Sequence, residues 1–106
     1  MTVTIIVPVY GVEKYIRECA ESLFSQTYDK IEYVFCDDCT PDRSIEILHE
    51  VMAEYPERQV RIIKNEQNKG IGSTRARLMQ EVKSDCFLFV DSDDILPENA
   101  VETLVK

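Results

Sequence analysis

The chain is short of basic residues, glycine and histidine, and each shortage removes a class of function. Twelve Lys and Arg stand against twenty Asp and Glu, giving a formal net charge of −8 over 106 residues. That balance argues against a general nucleic-acid or anionic-membrane surface, while leaving room for a local phosphate site. There are only three glycines, and the first apolar segment runs into Pro8-Val9-Tyr10-Gly11 with just one of them. The glycine-rich dinucleotide fingerprint and the Walker-type lysine loop are therefore both missing. His49 is the only histidine and falls in a predicted helix. The apolar run from Val3 to Val7 is broken by Pro8 and has no basic leader, so neither a signal peptide nor a membrane span is expected, and the cytoplasm is the default compartment.

Cysteine is present but poorly placed for chemistry. Cys36 and Cys39 flank Asp37 and Asp38, two carboxylates that disfavour a thiolate, whereas a reactive thiol needs the opposite environment. Cys36 closes one predicted strand and Cys86 opens another, so in a parallel sheet they lie at opposite ends and cannot share a metal. The expectation for all four cysteines, Cys19 included, is reduced structural thiols.

What is abundant is apolar and acidic sequence in an ordered pattern. Hydrophobic residues at 44% and charged residues at 30% are ordinary for a globular domain. A chain of this length buries about two-thirds of its unfolded surface. Residues 3–9, 31–36, 59–64 and 86–90 read as strands, the third of them as an edge. Helical spacing appears in residues 12–26 and roughly 73–83. Another helix is expected with Thr40 as N-cap and Pro41 at its first position, carrying Ile45, Leu48, Met52 and Tyr55 on its buried side and ending before Pro56. A last helix should open at Pro97. The alternation of strand and helix predicts right-handed crossovers in a parallel sheet.

Two strands end in acid, at Asp37-Asp38 and at Asp91-Ser92-Asp93-Asp94. The carboxyl ends of parallel strands are where such sheets bind ligands. Residues 86–90 are apolar without alternation, which predicts burial on both faces. If the chain stays extended beyond them, Asp91 and Asp93 share one face at about 7 Å. Two unpaired carboxylates at that separation repel by roughly 2 kcal/mol at an effective dielectric of about 20. A divalent cation, Mg²⁺ or Mn²⁺, would offset that cost. The alternative is a solvated acidic turn in which Asp93 or Asp94 caps the following helix. Gly70-Ile71-Gly72 beside Lys69, Arg75 and a helix amino terminus suggests an anion contact.

Taken together, Ile5-Ile6-Val7-Pro8-Val9-Tyr10, Val34-Phe35-Cys36-Asp37-Asp38, Asn68-Lys69-Gly70, Arg75 and Phe89-Val90-Asp91-Ser92-Asp93-Asp94 resemble the inverting family 2 glycosyltransferases of GT-A fold. The resemblance spans nearly the whole chain in order. It implies a three-layer α/β/α domain with a mainly parallel sheet in the order 3-2-1-4, and a nucleotide-diphospho-sugar, with uridine as the expected base, as donor. By that resemblance Pro8, Val9 and Tyr10 meet the base or ribose, Asp38 accepts from the base N3–H, and Asp37 supports the loop. Asn68, Lys69, Gly70 and Arg75 lie near the ribose or diphosphate. Asp91 and Asp93 match the DxD motif around Ser92, with Asp91, Asp93 and less centrally Asp94 toward Mg²⁺ or Mn²⁺.

The family pattern is not met throughout. Gly11 stands where Asn is common, Cys39-Thr40-Pro41 where Gly or Asn precedes Ser-Thr, and Ala76-Arg77-Leu78 where Asn-Arg-Gly is usual. Family members also continue into an acceptor-binding half that supplies an Asp or Glu general base. Residues 1–106 hold no candidate for that catalytic group, so it is expected beyond Lys106. The chain is thus expected to be the truncated, donor-binding portion of a longer enzyme that glycosylates a saccharide or lipid-linked acceptor. It would work in the cytoplasm or at the inner face of the membrane, and associate through apolar surface on its fourth strand and last helix, as in a homodimer. A non-catalytic nucleotide- or protein-binding module is the main alternative. A receiver-type domain fits less well, because the acids follow strands two and four and no lysine partner follows them.

Overall fold

The structure, a computed structural model, describes residues 1–105. Lys106, the residue beyond which the general base is expected, lies outside the described residues. The elements run β1 (Val3–Val9), α1 (Ile16–Phe24), β2 (Ile31–Asp37), α2 (Ser44–Glu54), β3 (Gln59–Lys64), α3 (Gly70–Gln80), β4 (Cys86–Phe89) and α4 (Ala100–Leu104). The sheet is parallel, in the order β3-β2-β1-β4, with Val3 opposite both Ile31 and Cys86. All four carboxyl ends therefore open on one side.

Two apolar layers hold the sheet. Val3, Ile5, Val7 and Val9 of β1 with Ile31, Tyr33 and Phe35 of β2 face α1, α2 and α4, packing on Cys19, Leu23, Phe24, Leu48, Val51 and Val101. The alternate residues Ile6, Val34 and Cys36 face α3 through Leu78. β1 and β2 are buried on both faces because helices cover both, the arrangement of a central parallel strand. β4 departs from the sequence expectation. It pairs only with β1, and Phe87 is 46% exposed, so its continuous apolar run reflects an edge left uncovered in residues 1–105 and not burial on both faces.

The helix ends also differ from expectation, because distant groups decide them. Among the described residues no helix has a side-chain bond from its own N-cap residue. α1 begins four residues late, after a turn in which the Val12 carbonyl accepts from Tyr15 and Ile16 N–H. Thr40 does not cap α2: its hydroxyl accepts from Gly11 N–H and donates to Asp42 Oδ1, and the helix starts at Ser44. α3 begins at Gly70, whose φ of +84° suits glycine, instead of near residue 73. α4 starts at Ala100, where the Pro97 carbonyl accepts from Ala100 N–H. Cys39 adopts φ +59°, a left-handed conformation that glycine or asparagine takes with less strain.

Asp42 knits the β1–α1 loop to the start of α2. Its Oδ1 accepts from Thr40 Oγ1 at 2.7 Å, Ser44 Oγ at 2.6 Å and Ser44 N at 3.1 Å, and its Oδ2 from Glu13 N at 3.2 Å. Burial alone would raise its pKa, but these four donors outweigh it and bring the carboxyl from 3.8 to about 2. A depressed folded-state value stabilises the protein above the unfolded value and loses that contribution as pH falls toward the folded one. Asp42→Ala is therefore expected to cost about 1–2 kcal/mol at neutral pH, allowing for solvent screening. Urea titrations should show that difference shrinking between about pH 4 and pH 2; a gap independent of pH would contradict the role of its charge.

Candidate functional site

At the carboxyl ends of β1, β2 and β4 lies a cavity of about 420 Å³. Its walls are Pro8, Val9, Tyr10 and Val12 after β1, Asp38 after β2, Asn68, Gly70, Ile71 and Thr74 around the start of α3, and Asp91, Ser92 and Asp93 after β4. Among the described residues three carboxylates line it and no lysine or arginine does. Tyr10 is 49% exposed, presenting its ring at the rim, while Val9 and Thr74 are buried beneath.

Asp38 is the most constrained acid there, at 4% exposure. Its Oδ1 accepts from Asn65 Nδ2 and Lys69 N, both at 2.8 Å, and its Oδ2 from Gly70 N at 3.0 Å. It does not cap the segment after Thr40. It closes the amino terminus of α3, thirty-two residues away, so the first N–H groups of that helix serve Asp38. Burial pushes the carboxyl pKa up, but the Lys69, Asn65 and Gly70 donors, helped by the nearby Thr74 hydroxyl, outweigh it and hold the group below the ordinary value. Asp38 thus stays an acceptor under ordinary conditions. Asp37 does not line the cavity; its Oδ1 accepts from Thr40 N at 2.9 Å and ties the loop after β2.

The acidic segment after β4 is not extended. Asp94 N–H donates to the Asp91 carbonyl at 3.0 Å, closing a turn through Ser92 and Asp93. Asp91 and Asp93 therefore reach the same cavity by a turn and not by strand alternation. Asp94 is outside the lining, and among the described residues no three Asp, Glu, His or Cys side chains converge on a common point. Of the three carboxylates expected toward a metal, Asp91 and Asp93 line the cavity and Asp94 does not. That set still fits Mg²⁺ or Mn²⁺, since Mg²⁺ is commonly held by one or two carboxylates together with substrate phosphates.

Beneath the turn, Cys19 Sγ donates to the Asp91 carbonyl. Burial and the charges of Asp94, Asp93 and Asp91 push this thiol up to about 12, and Cys36 is raised to about 11, mainly by burial. All four cysteines are free thiols.

Two predicted cations fall outside the cavity. The Arg75 guanidinium lies over the Phe89 ring, 4.1 Å from its centroid, and is held there by the aromatic face. Lys69 contributes its backbone N–H to Asp38, and otherwise borders a neighbouring depression with Lys64 and Arg77. Val12 and Thr74 line the cavity without having been singled out as site residues in the sequence, and Ile71 lines it from within the Gly70-Ile71-Gly72 run. Thr74 lies one helical turn from Gly70 because α3 starts at Gly70, earlier than the sequence indicates.

The parallel sheet in this order, with an acid-lined cavity at its carboxyl edge, matches the GT-A fold of solved glycosyltransferase structures. Residues 4–106 match the pattern of Glycosyl transferase family 2, and the chain belongs to that family. It is 40% identical over 105 residues to glycosyltransferase GlyA of Streptococcus pneumoniae serotype 4, covering 98% of this chain and 14% of that protein. To chondroitin synthase of Escherichia coli it is 39% identical over 100 residues, covering 94% of this chain and 14% of the relative. The crystal structure of S. aureus TarS 1–349 in complex with UDP superposes with a TM-score of 0.89 at 30% identity, covering 99% of this chain and 31% of that one. The mannosyltransferase PcManGT from Pyrobaculum calidifontis, in complex with GDP-Man and Mn²⁺, shares the fold with a TM-score of 0.86 at 22% identity, over 98% of this chain and 32% of its own. The chain thus spans about a seventh of the two curated relatives and about a third of these structures.

Proposed function

We propose that residues 1–106 form the donor-binding portion of an inverting glycosyltransferase that moves a sugar from a uridine-diphospho-sugar to an acceptor hydroxyl with the help of Mg²⁺ or Mn²⁺. The observation that carries this is the cavity lined by Asp38, Asp91 and Asp93 with no basic side chain among the described residues. Such a surface rejects a bare diphosphate and accepts one bridged by a cation. Asp91 and Asp93 would hold the metal, which when bound stabilises the charge developing on the diphosphate leaving group. Pro8, Val9 and the Tyr10 ring would contact the base and ribose, with Asp38 accepting the base N–H and Asn68, Gly70 and Ser92 completing the walls. The UDP bound to TarS supports uridine as the base. Titration calorimetry with UDP, CDP and GDP in Mn²⁺ tests the assignment; equal affinity for all three would refute base recognition.

The deprotonating carboxylate for the acceptor would lie beyond Lys106, as would the surface for a saccharide or lipid-linked acceptor in polysaccharide biosynthesis. No helix among the described residues is long and apolar enough to cross a membrane. Four free thiols agree with a reducing, cytoplasmic setting, which includes the inner membrane face. Phe87, Ile95 and Leu104 are 46%, 60% and 66% exposed along the β4 edge and the α4 side. Unpaired apolar edges recruit partners. The isolated chain is expected to show concentration-dependent association in sedimentation and no acceptor-dependent sugar transfer. A strictly monomeric profile would remove the edge argument, and acceptor-stimulated turnover would place the base within residues 1–106.

A further inference from the structure

Asn65 is a buried amide, 4% exposed, just past the end of β3, and both polar atoms of its side chain are committed. Its backbone N–H donates to the Asp37 carbonyl at 2.8 Å, extending the sheet register by one residue. Its side-chain Nδ2 donates to Asp38 Oδ1 at 2.8 Å and to Thr74 Oγ1 at 3.2 Å. Its Oδ1 accepts from Arg77 Nη1 at 2.6 Å, and the same Nη1 donates to the Lys64 carbonyl at 2.7 Å. Arg77 thereby fixes which way the amide points. In the flipped orientation the Asn65 NH₂ would face the guanidinium and its oxygen would face the Asp38 carboxylate, placing donor against donor and acceptor against acceptor.

The consequence appears at Asp38. Oδ1 already has two protein donors, Asn65 Nδ2 and Lys69 N, whereas Oδ2 has one, Gly70 N. A carboxylate has about four lone-pair sites, so Oδ2 keeps acceptor capacity to spare in a residue that lines the cavity. We infer that Asn65, locked by Arg77, is a positioning and specificity-determining residue that holds Asp38 so the cavity selects a nucleobase presenting an imide N–H over one presenting a bare ring nitrogen. This rests on the donor-binding function proposed above and adds to it a buried relay running from α3 through the end of β3 to the cavity wall. Asn65 and Arg77 touch no ligand in this scheme; they act through Asp38.

Uracil offers an N–H where cytosine offers an acceptor, so UDP and CDP are the discriminating pair. Titration calorimetry in Mn²⁺ should give the wild-type chain at least about tenfold tighter binding of UDP than of CDP, a factor set by one well-placed hydrogen bond. Asn65→Leu should bring the ratio to within about twofold, chiefly by weakening UDP. Because Asn65 is buried, Arg77→Met at a half-buried position tests the same relay with less risk to folding, and Arg77→Lys should restore most of the preference. Arg61→Met, which removes a pair with Glu32 and Glu81 on the exposed side of β3, serves as control and should leave the ratio intact.

Equal loss of both ligands, or an unchanged ratio in Asn65→Leu and Arg77→Met, would overturn the inference, because a purely structural role weakens both nucleotides alike. A wild-type chain that binds UDP and CDP equally would overturn it as well. If the wild type binds neither, the donor-binding reading itself fails, and amide exchange decides the relay. Exchange at Lys69 and Gly70 accelerated about tenfold in Arg77→Met, with β1 amides unchanged, would support it; unaltered exchange there would overturn it.

Discussion

Chelating the metal with EDTA is expected to weaken UDP binding by about 100-fold, and Asp93→Ala should do the same in the presence of Mn²⁺. The cavity presents Asp38, Asp91 and Asp93 to the proposed diphosphate, itself a polyanion, and among the described residues no basic side chain lines it. One carboxylate and one phosphate oxygen about 5 Å apart repel by roughly 3 kcal/mol at an effective dielectric of about 20. A divalent cation between them converts that repulsion into attraction, so the metal should govern affinity for the diphosphate far more than for the base. Uridine without phosphates should accordingly bind equally well with and without Mn²⁺. Asp94→Ala is the internal comparison. Its backbone N–H closes the turn on Asp91 while its side chain lies outside the cavity, so the substitution should change UDP affinity less than about twofold. Equal UDP affinity in EDTA and Mn²⁺ would remove the metal from the proposal, and a large effect of Asp94→Ala would restore a third ligand.

Arg58→Ala should be the most damaging single substitution outside the apolar core, costing about 2–4 kcal/mol in urea unfolding. The Arg58 guanidinium donates to the Phe24 carbonyl at 2.9 Å, to the Tyr28 carbonyl at 3.1 Å and to the Gln26 carbonyl. These groups sit at and just beyond the end of α1, which has no basic residue in its own last turn. A cation there satisfies orphan carbonyls and complements the negative end of the helix dipole. The Tyr33 hydroxyl donates to the adjacent Leu23 carbonyl, and the guanidinium lies 5.9 Å from the Tyr33 ring centroid. Truncation would leave three acceptors without their shared donor. Arg58→Lys should recover part of the loss, since a point-like ammonium cannot serve all three carbonyls. A cost under about 1 kcal/mol, the value typical of exposed ion pairs such as Arg61–Glu32, would show that water replaces the guanidinium at little expense.

Strand existence and order of appearance were written in the sequence because β-branched apolar runs such as residues 3–9 have few other ways to be buried. The acids Asp38, Asp91 and Asp93 were legible for a related reason: polar residues directly after such strands collect at the carboxyl edge of a parallel sheet. Family resemblance added the sheet order, which periodicity does not contain. Helix termini were not legible. Thr40-Pro41 has the local chemistry of a helix start, yet Thr40 is claimed by Gly11 and Asp42, and α2 waits for Ser44.

The amino acids alone determined a four-strand parallel α/β domain whose acidic segments meet at one edge. Tertiary structure decided how each end and each charge is satisfied. Arg58 closes α1, Asp38 closes α3, and Gln26 reaches α4, accepting from Val101 N–H at 3.0 Å and donating to the Pro97 carbonyl at 2.7 Å. Those partners lie some thirty to seventy-five residues from the ends they serve, beyond the reach of any local pattern. The same distance effect moved Arg75 onto the Phe89 ring and drew Asn65 and Arg77 into the support of Asp38. A buried polar group must find its partner wherever the packed chain brings one, and only the packing says where that is.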